Sequence, residues 1–180
     1  MEIIETHLKD LLVFAPTVFE DKRGYFFESY NASKFPKTPK YEWVQDNESR
    51  STRGVLRGLH YQIGNAAQAK LVRAITGEIY DVAVDIRPDS ITYGQWHGEL
   101  LSADNKRQML VPRGFAHGFL VLSETAIFAY KCDNYYSKES EGGIIYNDKT
   151  IGIKWPHILE GINLSEKDKN QPNFGNHLSF

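Results

Sequence analysis

From Gly54 to Cys132 the chain is a succession of short β-branched and aromatic runs: GVLRGLHYQ, KLVRAITG, EIYDVAVDI, GQWHGELL, RQMLVP, HGFLVL and TAIFAYKC. Their apolar and polar residues tend to alternate, the spacing of an extended strand with two faces rather than of a helix. Within VAVDI, for instance, Val82, Val84 and Ile86 share one face, and Asp81, Ala83 and Asp85 the other. Breakers such as RPDS, SADNK and PRG separate the runs. Many short strands between turns predict an all-β sandwich or barrel. Short peripheral helices are expected at NASKF and LSEKDK, the latter capped by Ser165. No linker, repeat or low-complexity stretch divides the 180 residues, so a single domain over 1–180 is expected.

Charge decides which partners to expect. A formal net charge of -2 argues against a general attraction to nucleic acid or to an anionic membrane. Locally the balance differs. Between Ser49 and Gly77 there is no acid, but there are Arg50, Arg53, Arg57, Lys70 and Arg73. Such a segment suits a compact anion such as a phosphate ester, or is simply a solvated basic face. Cys132 is the single cysteine, so no intrachain disulfide can form. The opening MEIIETHLKDLLVF lacks the basic and apolar blocks of a signal peptide, and no apolar run is long enough to span a bilayer. A cytoplasmic location is the default expectation.

Phosphate-loop, dinucleotide, Cys-x-x-Cys and His-Glu-x-x-His signatures are all missing. Two of the six histidines, His60 in RGLHYQ and His117 in PRGFAHGF, follow glycine-containing turn phrases. Either is a structural histidine, a ligand or a base. In a regular strand Leu56, Gly58, His60 and Gln62 face one way and Arg57 the other. For Arg57 and His60 to meet one ligand the strand must bend, and Gly58 is the obvious place for a bulge.

Both phrases resemble the two motifs of the cupin superfamily, which implies a jelly-roll barrel. Where metal-binding cupins carry a second histidine this chain has Gln62, and Lys70 lies downstream with no acid before Glu78. An amide and an ammonium suit a divalent cation poorly, so no metal is expected. A narrower resemblance rests on DKRGYFFESY, WVQDN, VLRGLHYQ, AQAKLVRAITGEIYDVAVDIR, YGQW, LSADNKRQMLVPRGFAHGF, NYYS, SEGGIIYND and IGIKWP, in that order. Together they resemble the dTDP-4-dehydrorhamnose 3,5-epimerases from about Val18 to Asp168. That resemblance implies a homodimer without cofactor. It also implies epimerisation of dTDP-4-dehydro-6-deoxy-D-glucose at C3 and C5, in dTDP-L-rhamnose biosynthesis.

Epimerisation next to a ketone needs a base, a cation or donor at the enolate oxygen, and an acid on the opposite face. The resemblance assigns these roles to His60 as base, Asp168 as its orienting partner, Lys70 at the oxygen and Tyr130 as acid. Asp168 also ends a Ser-x-x-Asp pattern with Ser165, which a helix cap alone would explain. For substrate binding the resemblance implies Arg23, Arg57 and His117 near the diphosphate. It implies Phe26, Glu28, Gln45, Asn47 and Tyr135 around the thymine, with Tyr136, Glu141 and Lys167 as further candidates. The segment carrying Arg23, Phe26 and Glu28 is expected to reach into the neighbouring subunit's site. A single-centre epimerase and a catalytically silent sugar-nucleotide binder of the same fold are the alternatives.

Overall fold

The computed structural model describes residues 1–35 and 41–180. Its strands are β1 (Glu2–Glu5), β2 (Leu12–Ala15), β3 (Phe19–Asp21), β4 (Gly24–Phe26), β5 (Gln45–Thr52), β6 (Leu56–Gln62), β7 (Lys70–Thr76), β8 (Glu78–Asp85), β9 (Trp96–Ser102), β10 (Gln108–Val111), β11 (Phe115–Val121), β12 (Thr125–Cys132) and β13 (Glu141–Gly143). The helix α1 (Glu166–Lys169) follows. Among the described residues two large antiparallel sheets form, in the orders β1-β2-β10-β7-β12-β5 and β13-β6-β11-β8-β9, and β3 and β4 pair separately. The fold is an all-β jelly roll. Among the described residues no ladder joins the two sheets, so the barrel expected from the sequence is an open sandwich.

Burial explains the pattern of each strand. Val13, Val72, Met109 and Phe128 of one sheet meet Ile79, Ala83, Leu101, Phe115 and Phe119 of the other in the central core. Val82, Val84 and Ile86 turn the opposite way, into a second cluster covered by Ile144, Ile151, Trp155 and Phe174. The alternation read in VAVDI therefore holds, and both of its faces are buried. On the outside of the six-stranded sheet, Phe14, Leu71 and Leu110 are covered by Phe35, Tyr30 and Trp43.

Strand β5 reads QDNESRST and has no apolar alternation. It is an edge strand whose inward-facing Gln45, Asn47, Ser49 and Ser51 are half-buried or buried while the residues between them are exposed. Its period of two is written in polar side chains. The helix expected at LSEKDK is α1, with the Asp168 amide donating to Ser165 Oγ at the N-cap. NASKF is a turn instead. The Asn31 side chain accepts from the Ser33 amide at 3.0 Å and its carbonyl accepts from Lys34 at 2.9 Å, and Pro36 follows in the sequence. An Asx turn and a proline just beyond it leave no room to propagate a helix.

Candidate active site

The bend expected at Gly58 is present. His117 of β11 pairs with His60, but Phe119 pairs with Arg57, so three steps of β6 lie opposite two of β11. Gly58 has φ of +123°, and a Cβ there would sit 2.5 Å from Gly118 Cα. Only glycine fits a backbone that close. The bulge brings Arg57 and His60 onto the same wall of a cavity of about 480 Å³, lined also by Lys70, His117, Tyr130 and Asp168.

His60 Nε2 lies 2.6 Å from Asp168 Oδ1. The other carboxylate oxygen accepts from Ser165 Oγ at 2.8 Å. Burial works against the Asp168 charge, but the bonds from His60 and Ser165 and the nearby Lys167 hold the carboxyl below its ordinary value. Asp168 is therefore ionised near neutral pH and accepts. That fixes the tautomer with the proton on Nε2 and leaves the Nδ1 lone pair of His60 as the basic atom. Helix cap and orienting role are not exclusive: the cap uses the Asp168 backbone amide, and its carboxylate serves the imidazole.

Lys70 is half-buried rather than an exposed strand lysine, with Nζ 5.8 Å from the centre of the Tyr130 ring. Burial pushes its ammonium down, against the pull of Cys132, Asp81 and Glu141. Burial also raises the Tyr130 phenol, with Cys132 adding and Arg57 opposing. A raised phenol stays protonated and able to donate. Arg57 donates to Ser51 Oγ from both Nε and a terminal nitrogen, at 3.2 and 3.1 Å.

His117 is buried, and its Nε2 lies 2.8 Å from Asp81 Oδ1. Asp81 is fully buried, and burial pushes its carboxyl up, against His117 and Lys70. Its Oδ2 has no hydrogen-bond partner among the described residues. Sequence reasoning missed Asp81 and Ser51. The signal for Asp81 was its place beside Ala83 on the core-facing side of an apolar strand, where an acid needs a partner.

Gln62, at the second ligand position of the cupin motif, has its Oε1 occupied by the Ser137 amide at 2.8 Å. Among the described residues no group of three or more His, Cys, Asp or Glu is arranged to hold a metal ion. Glu141 and Lys167 pair at 2.5 Å beside the cavity, and the Tyr136 hydroxyl donates to the same Glu141 oxygen at 3.1 Å. Tyr135 is exposed. Gln45 donates to Asn47 Oδ1 at 3.0 Å on β5, and Asn47 borders a second hollow of about 340 Å³ next to Tyr130.

The basic segment divides: Arg57 and Lys70 face the cavity, Arg73 borders the second hollow, and Arg50 and Arg53 are exposed. Arg23, Phe26 and Glu28 lie away from the cavity of their own chain. Arg23 and Phe26 belong to the β3–β4 hairpin, with Phe26 70% exposed and Arg23 paired to its neighbour Asp21. Glu28 is held by Lys34 at 2.7 Å and Asn31 at 3.1 Å.

Comparison with known proteins identifies the family. Residues 5–176 match the family model described as dTDP-4-dehydrorhamnose 3,5-epimerase. The enzyme of that name from Escherichia coli K12 is 54% identical over 171 residues, covering 94% of this chain and 92% of the relative. The crystal structure of dTDP-4-dehydrorhamnose 3,5-epimerase from Elizabethkingia anophelis NUHP1 is 55% identical, with a TM-score of 0.92 and 97% of each chain covered. A dTDP-6-deoxy-D-glucose-3,5-epimerase from Legionella pneumophila Philadelphia 1, solved with dTDP-4-keto-L-rhamnose, is 48% identical with a TM-score of 0.92, covering 97% of this chain and 93% of that one. With a His-Asp pair, a lysine and a tyrosine around one cavity, and with likeness over nearly its whole length, this chain belongs to the dTDP-4-dehydrorhamnose 3,5-epimerase family.

Proposed function

We propose that this protein inverts C3 and C5 of dTDP-4-dehydro-6-deoxy-D-glucose, in dTDP-L-rhamnose biosynthesis, with His60 as base. The observation that carries the reading is the 2.6 Å bond from His60 to Asp168 on a cavity whose walls include Lys70 and Tyr130. Protons on C3 and C5 are acidic because each is α to the C4 ketone. His60 Nδ1 takes one such proton, and Asp168 stabilises the imidazolium. The Lys70 ammonium stabilises the enolate oxygen. The Tyr130 phenol then gives a proton to the same carbon from the other face, so the centre inverts, and the imidazolium loses its proton to solvent and the phenolate regains one before the second centre reacts. No redox or metal cofactor enters this scheme.

For the nucleotide we assign Arg57 and Arg23 to the diphosphate, with His117 close by. Phe26, Glu28, Gln45, Asn47 and Tyr135 are assigned to the thymine, and Tyr136, Glu141 and Lys167 to the rim. Arg23 and Phe26 sit on an exposed hairpin while their neighbours Tyr25 and Phe27 lie against Lys106 and Arg73 of their own chain. This supports a homodimer in which the hairpin completes the partner's site. We further assign the chain to one domain over 1–180, in the cytoplasm. Among the described residues no helix is long and apolar enough to cross a membrane. The test is turnover of the keto-sugar nucleotide in deuterated water. Label at both C3 and C5 is expected. Label at one carbon would indicate a single-centre epimerase, and none a binding protein.

A further inference from the structure

The catalytic strand is held from behind as well as from its edges. Tyr61 points away from the cavity, is 3% exposed, and donates through its hydroxyl to the Leu178 carbonyl at 2.6 Å. Burial pushes its phenol up to about 12, so it remains a donor throughout the working range. On β13, Gly142 pairs with Tyr61 and Gly143 with His60. A Cβ on Gly142 would lie 2.3 Å from the Tyr61 ring, and one on Gly143 2.2 Å from the Gln171 side chain. The paired glycines thus make a flat bed on which Tyr61 and the C-terminal segment rest directly behind the base.

That segment is tied down along its length. Pro172 accepts from the Ile145 amide at 2.9 Å, and the Phe174 amide donates to Asp148 at 3.0 Å. His177 stacks on Phe174 at 5.0 Å, meets the edge of Tyr61 at 6.2 Å, and accepts on Nδ1 from the Gly175 amide at 3.0 Å.

We propose that residues 171–178 form a strap that positions His60 from behind its strand, with Tyr61 as the positioning residue through which it acts. The proposal rests on the assignment of His60 as base. Gly58 gives β6 a bulge on one side of His60, so a fixed ring position needs an anchor on the other, and the Tyr61–Leu178 bond supplies it. His60 must stay within hydrogen-bond reach of Asp168, and small displacements of a base cost rate rather than affinity.

The test is a double-mutant cycle. Tyr61→Phe keeps the ring on its glycine bed and deletes one hydroxyl, while removing Leu178–Phe180 deletes the acceptor. Each is expected to lower kcat by roughly three- to tenfold, the worth of one net hydrogen bond, with the Kd for dTDP unchanged. Combined, they should lower kcat no further, because both break one contact. The downfield Nε2 proton resonance of the His60–Asp168 bond should move in both variants. Unchanged kcat and resonance, independent losses that multiply, or a parallel loss of dTDP affinity would overturn the strap. Full turnover in His60→Asn would instead sink the base assignment, and the resonance would still report on the strap.

Discussion

Replacing Asp168 by Asn separates its helix cap from the orienting role proposed for its carboxylate. The helix cap is a bond from the residue-168 amide to Ser165 Oγ at 3.1 Å, and the substitution leaves it in place. What changes is the acceptor 2.6 Å from His60 Nε2, from a carboxylate to a neutral amide. A bond to a charged group is worth about 1.5–3 kcal/mol and a neutral one about 0.5–1.5, so stabilisation of the forming imidazolium falls by about 1–1.5 kcal/mol. That is about tenfold in kcat. If the amide instead turns its NH2 to the ring, the proton moves to Nδ1 and the base is lost. The same tautomer error in a Ser-His-Asp triad costs about 10⁴. A fall between these limits is expected, with dTDP affinity and melting temperature nearly unchanged. Ser165→Ala is the complementary variant. It removes the cap at about 1 kcal/mol, or about 2–4 °C in melting temperature for a chain of this size, while most turnover remains. The assay is isotope uptake at C3 and C5 in deuterated water, alongside thermal melting. A folded Asp168→Asn protein turning over at the wild-type rate would refute the orienting role.

Other expectations follow from the same geometry. Arg57→Ala should weaken dTDP binding about tenfold or more, the loss of a charge-assisted contact; calorimetric titration showing unchanged affinity would remove Arg57 from the diphosphate. Tyr130→Phe should still exchange substrate protons with solvent yet form little inverted product, read by mass and by NMR; inversion at the normal rate would point to another acid. Exhaustive chelation should leave turnover intact, and loss of activity together with a stoichiometric ion would displace Lys70 as electrophile. Burial works against the Asp85 charge, but bonds from Arg87, Ser90 and Thr92 hold its carboxyl below the ordinary 3.8. Its contribution to stability is therefore full above that value and lost as pH falls through the lower folded value. Asp85→Asn should flatten the acid limb of melting temperature against pH, and an unchanged limb would contradict this.

How much was legible depended on where each signal resides. Strands β6 to β12 announced themselves because their alternation is written in apolar residues that a two-layer core demands. Strand β5 did not, since its inward side chains are polar, with Ser49 and Asn47 bordering the two hollows. The three-residue β3, β4 and β13 were too brief for a period to show, and the four-residue β1 and β2 were not read as strands. That β6 must bend at Gly58 if Arg57 and His60 are to meet one ligand followed from strand geometry, whereas the roles given to the two residues came from family resemblance. The pairing of His60 with Asp168 joins residues 108 positions apart, and only family resemblance suggested it. The pairing of His117 with Asp81 went unread because periodicity gives a face and not a neighbour. The contact of Tyr61 with Leu178 lay beyond reach for the same reason, in a tail where the resemblance had already ended.

Gln62 carries a consequence for the evolvability of this scaffold. A histidine there is the one-codon step toward the metal-binding cupin motif. Here that step would strip the Ser137 amide of its acceptor before any ion could reward the change. The Lys70 ammonium would still oppose the incoming cation, so a second substitution, removing the group proposed to stabilise the enolate, would have to come at the same time. A directed-evolution campaign toward metal chemistry in this cavity should therefore vary positions 62, 70 and 137 together, because a walk through them one at a time descends before it climbs.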